Sequence, residues 1–383
     1  MSEENRPLLF RVISDPSIYD SLFATCSAMT LVLLLRTCSR MNQSVKDYIS
    51  RAFNINHLLS QYFSDPMAFR YVQACTATII AGSSALQFFD RSFYRESDLD
   101  LYVPMPQRVQ LGRYLLREGY KFVPTSWQHP TFEVAVLEER VARASTNYGQ
   151  LKGIAGVFTF KKPASCGQEL KIQIMVACRS TMDVVLRYHS TCVMNIITFN
   201  RAYCLYPRTT LEDRISLICT DRDDAVIQHV YERYRRRGWT LVTFADDIPL
   251  LAHDSFQVDT RRWIGGGHVW SIHLPCTFLP IITPVTPCSI PLTCDPISTS
   301  RWTLTYSSEA TGKMKFLHYR DAQLYYWYIS DNIRMSRIPS VVFLLDAARK
   351  VNVHSRHHFH QEEHHYVDER FIRLWNDFNS IIL

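Results

Sequence analysis

The 383-residue chain contains no C-x-x-C pair, no internal repeat and no apolar run long enough to cross a bilayer. Its 11 cysteines would suit a disulfide scaffold only in a far smaller protein. They are scattered (Cys26, Cys38, Cys75, Cys166, Cys178), and Cys192 sits inside the apolar run TCVMNIITF, where a thiol behaves as a small hydrophobe. Reduced cysteines and an intracellular location, cytoplasmic or nuclear, are predicted. The most apolar stretch, Leu22 to Leu35, is broken by Thr25, Ser27 and Thr30. A membrane span needs roughly 20 apolar residues, so a buried core helix and no membrane association are expected. The opening MSEENRPLLF is acidic and polar and lacks the basic start of a secretory signal.

With 47% hydrophobic and 13% aromatic residues the chain can bury sizeable cores and is not disordered. A net charge of +6 permits a polyanionic partner without requiring one. The length suggests two or three domains, read as 1–65, 66–215 and 216–383.

Residues 8–63 carry apolar positions at helix spacing (Leu22, Cys26, Met29, Leu33; Tyr48, Ala52; Leu58, Leu59, Tyr62), with a helix start at Asp15-Pro16. From Ala77 the texture changes to β-branched TIIA, a Gly82-Ser83 break, a helix over 84–91 and a strand over 97–103. A helix from Gln107 to Gly119, a strand at 120–123, a hairpin (157–161 with 170–177) and helices at 181–189, from about Leu211, and at 223–237 follow. Residues 263–329 read as a β-meander with long loops, Pro275 to Pro296 being one of them. A helix at 341–351 precedes a histidine-rich tail. The fold class is α+β: a central mixed sheet flanked by helices, a helical N-terminal region and a β-rich C-terminal region.

The order strand, Gly-Ser, helix, Asp-x-Asp on a strand has a chemical logic. Glycine lets backbone approach a phosphate, and Ser83, Ser84 and the N–H groups of the helix start supply donors. Asp98 and Asp100, two apart on a strand, project to one side and can share a hard divalent cation such as Mg²⁺. Ile80, Gly82, Ser83, Asp98, Leu99, Asp100 and Leu101 resemble the nucleotidyltransferase superfamily signature. The longer string AGSSALQFFDRSFYRESDLDLYV, with RYHSTCVMN and the later RGW, looks like a group of fungal proteins carrying this domain.

The resemblance implies transfer of a nucleoside monophosphate from a nucleoside triphosphate to a hydroxyl, with two Mg²⁺ and a third carboxylate on a neighbouring strand. On the strand Glu169–Val176 that third position holds Gln173. An amide offers an oxygen to a metal but neither charge nor useful basicity. Glu169 lies on the same face but about 13 Å away, and Asp183 is another candidate. Transfer, nucleotide binding without transfer, and a structural relic all remain open.

Other signals are weaker. The Ser-Asp-Pro entry, the leucine-rich helix and RTCSR resemble F-box-like domains, which implies a ubiquitin-ligase adaptor as partner of residues 8–63; a helical cap on the next domain is the plainer reading. Arg233, Arg235, Arg236 and Arg237, interleaved with Tyr231, Tyr234 and Trp239, suit phosphates or bases, but basic residues also belong at a helix C-terminus. Lys152, Lys161, Lys162 and Lys171 flank the hairpin and suit a triphosphate or a charged edge. The tail holds six of the 14 histidines (His354, His357, His358, His360, His364, His365), and 360–364 fits H-x-x-E-H. Only Asp368, Glu369 and Asp377 follow as carboxylates, so a solvated helix face is expected. Gly265-Gly266-Gly267 reads as a turn, and His189 and Arg187 as neighbours of the Gln173 strand.

Overall fold

The computed structural model describes residues 12–94, 98–138, 153–163, 169–220, 222–243, 256–276, 295–306 and 314–320. The sequence readings at 323–330 and 341–351, the histidine-rich tail, Lys152 and most of the 275–296 loop lie outside these residues. Internal contacts divide the chain into Met1–His318 and Tyr319–Leu383; the elements below belong to the first unit, apart from the last two residues of the final strand.

Helices open the fold: α1 Pro16–Thr25, α2 Ala28–Leu34, α3 Ser39–Ala52, α4 Ile55–Leu59 and α5 Pro66–Thr76. α1 and α5 start alike. Asp15 and Asp65 accept hydrogen bonds from first-turn N–H groups, and a proline occupies the first helical position. The Leu22–Leu35 stretch is not one buried helix. Ser27 caps a new helix by accepting from Thr30 N at 3.2 Å, and Cys26 before it is extended. The break leaves Leu22, Met29 and Leu33 at 48%, 40% and 56% exposed, while Phe23 and Leu31 are buried.

Next come β1 Ile79–Ala81, α6 Ser83–Asp90, β2 Leu99–Pro104, α7 Arg108–Arg117, β3 Lys121–Val123, α8 Phe132–Ala135, β4 Ile154–Pro163 and β5 Glu169–Ala177. They are followed by α9 Thr181–Val185, β6 Asn195–Ile197, β7 Arg201–Cys204, β8 Ile215–Leu217, α10 Ala225–Arg236, β9 Thr240–Val242, β10 Arg261–Trp263, β11 Trp270–His273, β12 Ser300–Tyr306 and β13 Met314–Arg320. The protein is α+β, with a mixed eight-stranded sheet ordered β11-β7-β6-β1-β2-β5-β4-β3. β2 and β5 run parallel; the other pairs are antiparallel. Smaller sheets are β10-β12-β13 and β8-β9. No helix among the described residues is long and apolar enough to cross a membrane.

Three sequence expectations shift. α9 ends at Val185 rather than His189, because Ser190 is drawn into a bridge with Ile218. The segment near Leu211 is a π-helical turn, Arg208–Glu212, ended by Arg214 at φ 53°. The HVWSIHL strand, expected in the meander, forms β11 and closes the central sheet against β7.

Alternating side chains divide the sheet into two faces. Ile80, Leu99, Leu101, Val103, Ile172, Ile174 and Val176 join one core with Phe23, Leu31, Val45, Tyr48, Phe53, Leu59 and Phe69 of the N-terminal helices. The front helices and the sheet thus share a single core. Ile79, Ala81, Tyr102, Met175 and Ala177 face a second core with Met182, Tyr188, Tyr234, Trp239 and Trp302.

Candidate functional site

The second face grades from apolar to polar along β2 and β5. Tyr102, Met175 and Ala177 are buried, and toward the strand starts the same alternation brings Asp100, Gln173, Asp98 and Lys171 to that face. Asp100 and Gln173 are register partners, as are Leu99 and Ile172. β1 runs antiparallel beside β2, with Ile80 opposite Leu101, so the Gly82 turn sits next to the Asp98–Asp100 pair. The sequence-designated residues Gly82, Ser83, Ser84, Asp98, Asp100 and Gln173 therefore converge.

Gly82 has φ 74° and ψ −140°, a conformation that side-chain-bearing residues rarely adopt. A Cβ there would lie 3.6 Å from Asp100 Oδ2 and 3.8 Å from Tyr188 Oη, so the carboxylate approaches the turn backbone closely. No side chain caps the N-terminus of α6. The first N–H groups of a helix have no intrahelical partner, and the helix dipole adds partial positive charge there. Ser84 acts locally, since its hydroxyl donates to the Asp98 carbonyl at 2.8 Å and fixes the start of β2 against α6.

The two aspartates differ. Asp98 Oδ2 accepts from Lys171 Nζ at 2.5 Å, and both side chains are about one-third exposed. Asp100 Oδ1 is shielded from solvent and has no hydrogen-bond partner. Burial pushes the Asp100 pKa up to about 7, the Asp98 charge adds to the rise, and Lys171 opposes it. Burial and the same two aspartates also hold the Tyr62 phenol well above its ordinary value.

This donor set fits one hard divalent cation. Two carboxylates offer hard oxygens, and the orphaned Asp100 Oδ1 lacks the partner that a buried anion requires. It does not supply the acids for two. Gln173 is buried and its amide Nε2 donates to Thr159 Oγ1 at 3.4 Å. Glu169 pairs with Lys161 at 2.6 Å. Asp183 lies past the C-terminal end of β5, where it pairs with Arg187 at 3.0 Å. Among the described residues no group of three His, Cys, Asp or Glu could hold a metal ion.

A cavity of about 550 Å³ opens beside Asp98, lined by residues including His57, Tyr62, Gln87, Phe93, Tyr94 and Lys171. That volume suits a small ligand. Gln87 frames the wall, since its Nε2 donates to Ser83 O at 3.3 Å and its Oε1 accepts from Tyr94 N at 2.6 Å. Arg91, also in the lining, is a staple: it donates to the carbonyls of Cys26 at 2.7 Å, Ala24 at 3.3 Å and Phe23 at 3.4 Å, and to Tyr48 Oη at 2.8 Å. The guanidinium of Arg237 stacks 3.7 Å over Tyr94.

Arg236 and His189 are engaged elsewhere. Arg236 pairs with Glu232 at 2.9 Å. His189 packs against Tyr231 and Tyr234, with Nδ1 2.8 Å from Ser190 Oγ. The three consecutive glycines form a turn between β10 and β11. Sequence reasoning did not foresee the roles of Tyr62, in the turn after α4, Tyr94, in the segment after α6, and Arg237, at the C-terminal cap of α10. The Lys171–Asp98 pair did have a sequence signal, because Lys171 and Gln173 alternate as Asp98 and Asp100 do.

No family model, curated protein or solved structure matches the chain. The nucleotidyltransferase resemblance therefore rests on the sequence signature, Ile80, Gly82, Ser83 and Asp98 to Leu101, and the longer strings around it.

Proposed function

We propose that the protein binds a Mg²⁺-nucleoside triphosphate beside the Gly82 turn, without efficient nucleotidyl transfer. The observation that carries this reading is the orphaned Asp100 Oδ1 next to Asp98 and an uncapped helix start. One Mg²⁺ held by Asp98 and Asp100 would neutralise the pair and screen triphosphate charge. The N–H groups at the start of α6 would take phosphate oxygens, and the adjoining cavity would receive the remainder of the nucleotide. Gln173 argues against transfer, since it adds no negative charge where a second cation would activate an acceptor hydroxyl.

Calorimetry with ATP, GTP, CTP and UTP, with and without Mg²⁺, tests the reading. Binding that requires Mg²⁺ and is lost in Asp98→Ala/Asp100→Ala is expected. Unchanged binding by the double variant would remove the site.

A second reading, a docking platform for a ubiquitin-ligase adaptor, is favoured by one observation. Ile18 and Leu22 on α1, with Met29 and Leu33 on α2, are exposed apolar side chains. A pull-down of purified adaptor by the full chain, set against Leu22→Glu/Leu33→Glu, decides it: capture of the adaptor that the double substitution abolishes supports docking, and no capture ends this reading.

A further inference from the structure

Resting on the nucleotide reading above, we propose that Lys171 is a built-in counterion that occupies Asp98 in the empty site and transfers to the triphosphate when a divalent cation enters. Metal and phosphate binding are thereby coupled through one side chain.

Three observations carry this. Lys171 Nζ lies 2.5 Å from Asp98 Oδ2, an oxygen that a cation shared by the two aspartates would use. Asp98 therefore carries a neutralising partner while Asp100 Oδ1 has none, so an entering cation competes with an ammonium for one of its two carboxylates. Lys171 also lines the cavity. A lysine stem carries its charge on four flexible carbons, and this one is about one-third exposed at the cavity wall. Lys161, its register partner on β4, is held by Glu169 at 2.6 Å, which leaves Lys171 as the ammonium nearest the aspartates.

Anion arrival offers Lys171 a second partner and frees Asp98 for metal; metal arrival displaces Lys171 toward the anion. By linkage each ligand strengthens the other to the same degree. Lys171 is thus a counterion that competes with the metal and assists the anion, and its removal has opposite effects on the two ligands. A structural role in pairing β2 with β5 would not produce that.

The test measures Mn²⁺ binding alone, and inorganic tripolyphosphate binding without divalent metal, by calorimetry on the full chain. Wild type, Lys171→Met and Lys171→Arg are compared after melting temperatures confirm folding. Lys171→Met is expected to bind Mn²⁺ at least tenfold more tightly and tripolyphosphate at least tenfold more weakly, with Lys171→Arg close to wild type on both. Mn²⁺ affinity that is unchanged or weaker in Lys171→Met overturns the proposal while leaving the nucleotide reading intact. Absence of Mn²⁺ binding in both wild type and Lys171→Met overturns the cation site and this proposal together. Should Lys171→Met fail to fold, Lys171→Gln takes its place with the same criteria.

Discussion

Asp100 and Gln173 are Cα partners on the two parallel neighbours β2 and β5, so an amide stands beside the aspartate whose Oδ1 is shielded from solvent. Replacing it with aspartate would place three carboxylates on one face. Two expected outcomes follow for Gln173→Asp. Without divalent metal its melting temperature falls, since a buried carboxylate facing like charges is penalised by desolvation and repulsion. With Mn²⁺ or Mg²⁺ the loss is recovered and metal affinity exceeds that of wild type. Thermal melts with and without chelator measure both.

Asp100 sets a pH dependence of its own. Its folded pKa of about 7 lies above the ordinary 3.8, so on raising the pH the unfolded chain gives up this proton first. The stability it contributes is present below about pH 4 and lost as pH rises through about 7. Asp100→Asn in metal-free buffer is therefore expected to be more stable than wild type at pH 7.5–8, roughly matching it near pH 4. Mg²⁺ should raise the melting temperature of wild type and not of the variant. Equal melting temperatures at pH 8 would count against an unpartnered carboxylate.

His189 acts in the opposite sense. Burial, and then the charges of Arg233 and Arg222, lower its pKa from 6.5 to about 4. The unfolded chain takes up this proton first as pH falls, so the contribution is present above 6.5 and lost on acidification toward 4. The magnitude is at most about 3 kcal/mol. Denaturant titrations from pH 7.5 to 4 should show a shallower acid decline for His189→Gln than for wild type.

Packing gives a prediction independent of chemistry. Gly112 on α7 faces the Phe132 ring, and an added Cβ would meet Phe132 Cζ at 2.0 Å. Phe132 is buried against Phe122, Phe158 and Phe160, so it has no room to retreat. Gly112→Ala is expected to destabilise by about 1–3 kcal/mol or more, read as a lowered denaturation midpoint. Gly267 has open space around its Cβ position, so Gly267→Ala is the control with little effect.

Much of the site was legible in the sequence because it is local. The Gly82-Ser83 break, the helix behind it and the Asp98–Asp100 alternation lie within 19 residues, and period-two and glycine arguments act over that range. The hairpin of β4 with β5 was legible for the same reason, and it placed Gln173 on the right face. The N-terminal helices announced themselves through Asp15-Pro16 and their apolar spacing. Periodicity alone joined α1 to α2, because it does not register a serine cap.

What only the tertiary structure decided are the contacts between distant segments. β11 closes the central sheet beside β7 from some 70 residues along the chain, a choice of sheet edge that no local preference encodes. Arg237 reaches Tyr94, and Arg91, in the cavity lining, holds the α1–α2 turn. Above all, the sequence determined that two aspartates and one glutamine share a face. Their ionic character was set by burial, which isolates Asp100, and by register, which puts Lys171 on Asp98. Both are properties of the assembled sheet, because desolvation and charge proximity exist only once distant strands have met.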